Sequence, residues 1–279
     1  MIIGTDGFVE YRPVAITESL RQGDVLERVA DDATAWNRHL LVMTADCDFA
    51  HDKHHGRVTC VPLLTKDEYI LELQIPKLRR QAAVKLAAHL QKVLSGLGAA
   101  AISEARLNEW PQEHSTESIL TSLAVPDASR DAVGGMLDSI RELGGVASTV
   151  AEATAALVRA QRRLPNAQSE KNLRSQVVNR LQNAFKQPPG DALFLSALAD
   201  GHDYGYFVYL RHLEQIWEPQ VSLGPSRSVV EYRRLSRLQE KYTHAIAQRF
   251  ALVFMTIGLP DAYEEMRDLH ADLLGEDIP

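Results

Sequence analysis

Strand-like sequence stops near residue 65 and returns at 191, with about 120 residues of helical periodicity between, and this order constrains the fold more than any other feature. Before the break, Gly23-Asp24-Val25-Leu26-Glu27-Arg28-Val29 alternates, and 39–44 and 57–64 are short apolar runs rich in strand formers. Pro62 lacks a ladder donor and ends its strand or places it at an edge. A polar loop, 46–56, joins the last two runs.

From 66 to 187, apolar residues recur at helical spacing: Leu78, Ala82, Leu86, Leu90 and Leu94, then Met136, Leu137, Ile140, Leu143, Val150 and Leu157. Gly134-Gly135 and Gly144-Gly145 are expected to break the second run, Ser169 to cap a helix reaching Phe185, and Pro188-Pro189-Gly190 to end it. Beyond it, 191–198, a turn at 200–203 and 205–210 read as a hairpin. Helices are expected at 228–257 and 261–273, separated by Gly258-Leu259-Pro260.

The fold class is therefore α+β. Residues 1–65 and 188–279 form one β unit with C-terminal helices, and 66–187 is a helical insertion within it. The expected strands are 23–29, 39–46, 57–64, 191–198 and 205–211. Their expected common core is Leu41, Val42, Val58, Val61, Phe194, Phe207 and Val208.

With 279 residues, 45% of them hydrophobic and 24% charged, the chain can build a packed core. A net charge of −7 excludes a chain-wide basic footprint for nucleic acid, so any RNA contact needs local clusters of Arg and Lys. The start has neither the basic nor the apolar region of a signal peptide. The longest apolar stretch, 250–259, is far short of the roughly 18–20 residues that span a bilayer. With only two cysteines as well, the expected setting is the cytoplasm, without a membrane contact.

Three early segments carry a family resemblance: Gly23-Asp24-Val25 opening a strand, Arg38-His39-Leu40-Leu41-Val42-Met43-Thr44, and Cys60-Val61-Pro62-Leu63-Leu64-Thr65. Later, Phe207-Val208-Tyr209-Leu210-Arg211-His212 runs a strand into a basic turn, and 234–254 follows as a helix. In this order the segments resemble the MazF/PemK family of toxins, small SH3-like β-barrels, usually dimeric, that cleave single-stranded RNA without a metal. The resemblance covers roughly 100 to 120 residues in two pieces. It implies an SH3-like barrel interrupted by the helical block, a possible homodimer, single-stranded RNA as a candidate ligand, and Arg38 and Thr65 as the catalytic pair. His39 stands where the family has Pro, and the helical block is foreign to the minimal toxin.

Cleavage of RNA needs a base for the 2′-hydroxyl and a cation for the phosphate. Arg38 and Thr65 are the candidates. The plainer reading of Arg38 is a solvated loop cation, and of Thr65 a helix N-cap whose box Glu68 completes. Asp46-Cys47-Asp48, followed by His51, His54, His55 and Cys60, is the densest set of potential ligands, and Asp46, Cys47, Asp48 and Arg211 are candidate binding residues. The spacings match no standard zinc pattern, so neither metal nor cofactor is expected. Cys47 as a nucleophile would need a base such as His51. His202-Asp203 reads as a turn. The Arg and Lys bursts at 77–80, 159–163 and 233–237 read as solvated helix faces, the last with Tyr232 and Tyr242 as possible stacking surfaces for bases. Two functions remain: a protein-binding regulatory module docking through the helical block, with Leu94, Leu97 and Ile102 among its expected exposed apolar positions, in a bacterial stress-response or phage-defence setting that the resemblance implies, or a metal-independent endoribonuclease.

Overall fold

The structure is a computed structural model that describes residues 9–98, 102–186, 188–223 and 230–255, together with 265, 266 and 269. Nine strands are present among the described residues: β1 Tyr11–Arg12, β2 Asp24–Arg28, β3 His39–Val42, β4 Arg57–Thr65, β5 Ala192–Leu195, β6 Tyr206–Tyr209, β7 Glu214–Trp217, β8 Val221–Ser222 and β9 Tyr232–Leu238. They form one curled sheet in the order β1-β9-β2-β3-β4-β6-β5, with β7 also on β4 and β8 also on β9. Every pairing is antiparallel except β8 with β9. The expected joining of early and late strands is present: Leu63 faces Val208, and Thr65 faces Tyr206.

Long β4 makes this possible. Its first half pairs with β7 through Arg57–Cys60, and its last three residues pair with β6. The sheet curls until the 196–203 segment after β5 meets the opposite edge. There the Ser196 N–H donates to Glu10 at 2.7 Å, the Tyr11 hydroxyl donates to Asp200 at 2.6 Å, and the Ser236 hydroxyl donates to the Leu198 carbonyl.

Alternation sorts the strands onto two faces. Val25, Leu41, Val61, Leu63, Tyr206 and Val208 line the concave face, covered by α9 (Glu240–Phe254) through Ile246, Phe250 and Val253. Leu26, Leu40, Val42, Val58, Cys60 and Ile216 line the other. The expected common core is thus divided among clusters: Val42 and Val58 lie opposite Leu41 and Val61, and Phe207 faces Leu64 and Tyr69. Phe194 is 44% exposed rather than buried, because β5 is an edge strand with one face open.

The helical insertion runs from α2 (Lys66–Tyr69) through a π-helical turn at Ile70–Gln74 into α3 (Ile75–Gly96). It continues with α4 (Glu104–Glu113), α5 (Thr116–Ser122), α6 (Asp127–Gly144), α7 (Val150–Arg162) and α8 (Glu170–Lys186). Its core is its own: Leu86, Leu90, Leu107, Leu137, Leu157 and Val177 pack in one cluster. It meets the sheet where Tyr69 stacks on Phe207, ring centroids 3.8 Å apart, with Phe185 edge-on at 5.1 Å. Leu94, expected on the surface, is buried, and Leu97 and Ile102 are half-buried against this core.

Gly134-Gly135 does not break α6. Gly134 lets the Thr116 and Leu120 side chains of α5 approach, and Gly135 leaves space for the Arg163 guanidinium. These glycines serve helix packing rather than termination. Gly144 does end α6.

The largest departure is within the expected helix 228–257: residues 232–238 form β9, inserted between β1 and β2, and among the described residues of that span only 240–254 is helical. The basic burst 233–237 is no solvated helix face: the Arg234 and Arg237 side chains are only 2% and 6% exposed, both bound to Asp24 of β2. The expected break at 258–260 lies outside the described residues, as does the helix at 261–273 apart from the three positions given above.

Gly23 opens β2 at φ +87°, and a Cβ there would sit 2.4 Å from Thr243 Oγ1 of α9. Left-handed strain costs about 1–2 kcal/mol, and overpacking adds about 1–3 kcal/mol. Gly23→Ala is therefore expected to cost about 2–5 kcal/mol in a chemical denaturation. Thr243→Ala in the same chain should restore the steric share only, leaving the φ penalty.

Candidate functional site

The curl of the sheet gathers polar groups on the concave face beside the β2–β3–β4 strand ends. Glu27 of β2 and His39 of β3 are cross-strand partners, and Arg233 of β9 faces Glu27 from the other side. The 196–203 segment brings His202 to the same carboxylate. Glu27 Oε1 lies 3.4 Å from His202 Nε2 and 3.7 Å from His39 Nε2. Its other oxygen, Oε2, accepts from Arg233 Nε at 2.6 Å. His202 Nδ1 is 3.3 Å from the Asp200 carbonyl.

His39 is 5% exposed, and neither of its ring nitrogens has a hydrogen-bond partner; the buried Tyr206 hydroxyl also has none. The Tyr206 ring stands nearly perpendicular to that of His39, centroids 5.6 Å apart. Burial, opposed by the Glu27 charge and aided by those of His202 and Arg38, pulls His39 down from 6.5 to about 4, so it is neutral at pH 7. Burial also pushes the Tyr206 phenol up, and Tyr204, Glu68 and Glu27 add to this. Glu27 is pushed up by burial, but the Arg233 hydrogen bond and charge, with His202, outweigh it and hold the carboxyl below its usual range.

Arg38 and Thr65 border this cluster through Glu68. The Thr65 hydroxyl donates to Glu68 Oε2 at 2.9 Å and accepts from the Glu68 N–H, so the capping box read from the sequence is present. Arg38 Nε is 3.5 Å from Glu68 Oε1, with its side chain 48% exposed. The pair carried over from the toxin family thus converges on one carboxylate that occupies both members.

The remaining candidates lie elsewhere. Asp46 and Cys47 sit in α1 (Asp46–Ala50), a short helix within the expected loop, with Asp48. Asp46 is bound to Arg21 at 2.6 Å and to the Gln22 N–H. Cys47 is exposed, its Sγ 3.7 Å from Asp48 Oδ1, and Cys60 is buried. His54 is tied to Glu218 at 2.8 Å, which raises its affinity for a proton. Among the described residues, the ligand atoms of this Cys- and His-rich segment form no group close enough to share an ion; Glu27, His39 and His202 form the only such group. Arg211 pairs with Asp191 at 2.6 Å at the far end of β6.

The cluster was missed in the sequence because His202 lies 175 positions after Glu27, and no local spacing links it to Glu27 and His39. One signal was present: His39, an ionisable residue opening an apolar strand where a Pro is expected by resemblance.

His39 gives a pH dependence with a definite sign. The unfolded chain gains a proton below 6.5, whereas the native chain resists until about 4. Stability is therefore lost as pH falls through that window. His54 has the opposite sign: its contribution is present below its unfolded value and is lost as pH rises through its raised folded value. In chelator, the parent should lose about 2 kcal/mol more than His39→Gln between pH 7.5 and 5. Urea titrations at the two pH values check this; parallel losses would refute it.

No helix among the described residues is long and apolar enough to cross a membrane. Compared with family models, curated proteins and solved structures, the chain matches none.

Proposed function

We propose that this chain is a protein-binding regulatory module, a remodelled SH3-like barrel of MazF/PemK type with a docking block inserted, serving a bacterial stress-response or phage-defence system. The observation that carries this reading is an open groove of about 860 Å³ between α3 and α6. Leu71, Ile75, Pro76, Val84, Ile140 and Leu143 form its apolar lining, and Arg79 and Arg80 add charge. Val84 is 47% exposed and Val146, at the rim, fully so. A block with its own core and an open apolar groove suits recognition of another protein. Occupation of Arg38 and Thr65 by Glu68 supports the same reading, since a phosphodiester would have to displace that carboxylate.

The test is capture of the tagged chain from its own host. One protein should co-purify in constant ratio with the parent and be lost from Val84→Glu and Val146→Glu variants that melt like the parent. Retention by both variants overturns the docking assignment.

A second reading, a metal-independent endoribonuclease, is favoured by one observation: Arg38 and Thr65 lie at one carboxylate beside the Tyr206 phenol. Against it, a chain of net charge −7 repels a polyanion without strong segregation of charge. Mixed-sequence single-stranded RNA incubated in EDTA with the parent and with Arg38→Ala decides it. Cleavage by the parent alone would establish the nuclease.

A further inference from the structure

We infer that Glu27, His39 and His202 bind a divalent transition metal of the zinc class through one carboxylate oxygen and two imidazole nitrogens. The inference is independent of the docking function proposed above and replaces the sequence-based expectation of no metal. Three observations carry it. First, the three ligand atoms lie within 4.8 Å of one another. Two of the spacings to Glu27 Oε1, 3.4 and 3.7 Å, are close to the ~3.4 Å between neighbouring ligands of a tetrahedral ion with bonds of about 2.1 Å.

Second, His39 is a buried imidazole with no partner at either ring nitrogen, and its Nε2 points toward the carboxylate at a distance too long for a hydrogen bond. A buried donor or acceptor without a partner carries its full desolvation cost, which ligation would relieve. Third, the outer contacts are those that orient metal ligands. Without an ion, His202 Nε2–H donates to Glu27 Oε1 at 3.4 Å; with Nδ1 3.3 Å from the Asp200 carbonyl, moving that proton to Nδ1 gives it an acceptor and frees Nε2 for the ion. Arg233 holds Glu27 Oε2, leaving Oε1 for the ion.

The donor set selects the class. Imidazole suits zinc and its neighbours, whereas calcium and magnesium prefer all-oxygen shells. Three protein ligands leave one position of a tetrahedral ion for water or an exogenous group. His202, partly exposed and on a turn outside the named strands, is the ligand least needed by the fold.

The experiment uses the full chain, stripped with a chelator and exchanged into metal-free buffer. Titration calorimetry with ZnCl2 should give one ion per chain, with MgCl2 giving no heat. His202→Ala and Glu27→Gln should each weaken zinc binding by about 100-fold or more, at or above what even an outer-shell partner is worth. His54→Ala, altered in the separate Cys- and His-rich segment, should bind like the parent. Circular dichroism establishes that each variant is folded. X-ray absorption of the zinc-loaded parent gives an answer that needs no variant: two imidazoles and oxygen, without sulfur. Failure of the folded parent to bind zinc, binding that survives both Glu27→Gln and His202→Ala, or a sulfur ligand from Cys47 would each overturn the site.

Discussion

Val208→Asp is expected to abolish soluble, protease-resistant protein. Val208 is fully buried on β6, paired with Leu63 of β4 on one side and Leu193 of β5 on the other. Its cluster contains Val25, Leu41 and Leu63. An aspartate there would be forced toward its neutral form, a shift of about 3–5 pK units at about 1.4 kcal/mol each. Lost burial of the valine adds about 1.5–3 kcal/mol. The sum rivals the whole stability of a typical domain, about 5–15 kcal/mol. Phe194→Asp on the neighbouring edge strand is the control, since that ring is 44% exposed and an aspartate can reach water. Soluble fraction and limited proteolysis of the two variants give the answer. Equal resistance of both would refute the assignment of the concave core.

Asp24→Ala should cost about 3–5 kcal/mol, the usual effect of removing one member of a buried ion pair. Asp24 is fully buried. Its Oδ1 accepts from Arg237 Nε at 2.5 Å, and its Oδ2 accepts from Arg237 at 3.0 Å, Arg234 at 3.3 Å and the Arg21 N–H at 3.0 Å. Both guanidiniums also donate to the Ser19 carbonyl, so this one carboxylate ties β2, β9 and the 15–19 segment together. Its removal leaves two buried cations, of which, among the described residues, only Arg237 keeps an acidic partner, Glu18 at 3.0 Å. At about 2–4 °C per kcal/mol for a chain of this size, the melting temperature should fall by about 6–20 °C. Glu18→Ala tests the exposed part of the network. Its pair with Arg12 is open to solvent on both sides, so the Glu18 loss should be smaller. An unchanged melting temperature for Asp24→Ala would show that the network adds nothing net.

Much of the architecture was legible in local pattern. The helical insertion begins at Lys66 and ends at Lys186 because the period of its apolar residues changes from two to 3.6 and back. Thr65 and Glu68 form the capping box their spacing implied, and the Ser169 hydroxyl accepts from the Asn172 N–H at the start of α8. β9 was misread because Arg233, Arg234 and Arg237 give a helix-like polar spacing. Their charges lie across the sheet, on Glu27 and Asp24, more than 200 positions away. Exposed apolar positions were likewise misplaced at Leu94, because which face of a helix is free depends on what packs against it.

The sequence by itself determined the α+β class, the insertion between β4 and β5, and the strands from β2 to β6, since each rests on periodicity and turn chemistry within about ten residues. Tertiary structure alone decided that Glu27, His39 and His202 share one corner, that Arg38 and Thr65 spend their polar groups on Glu68, and that a basic stretch becomes an interior strand paired on both sides. Those outcomes depend on sheet closure. Which buried charge meets which partner is set by the curl of the strands and the register across them, and no local spacing carries that information.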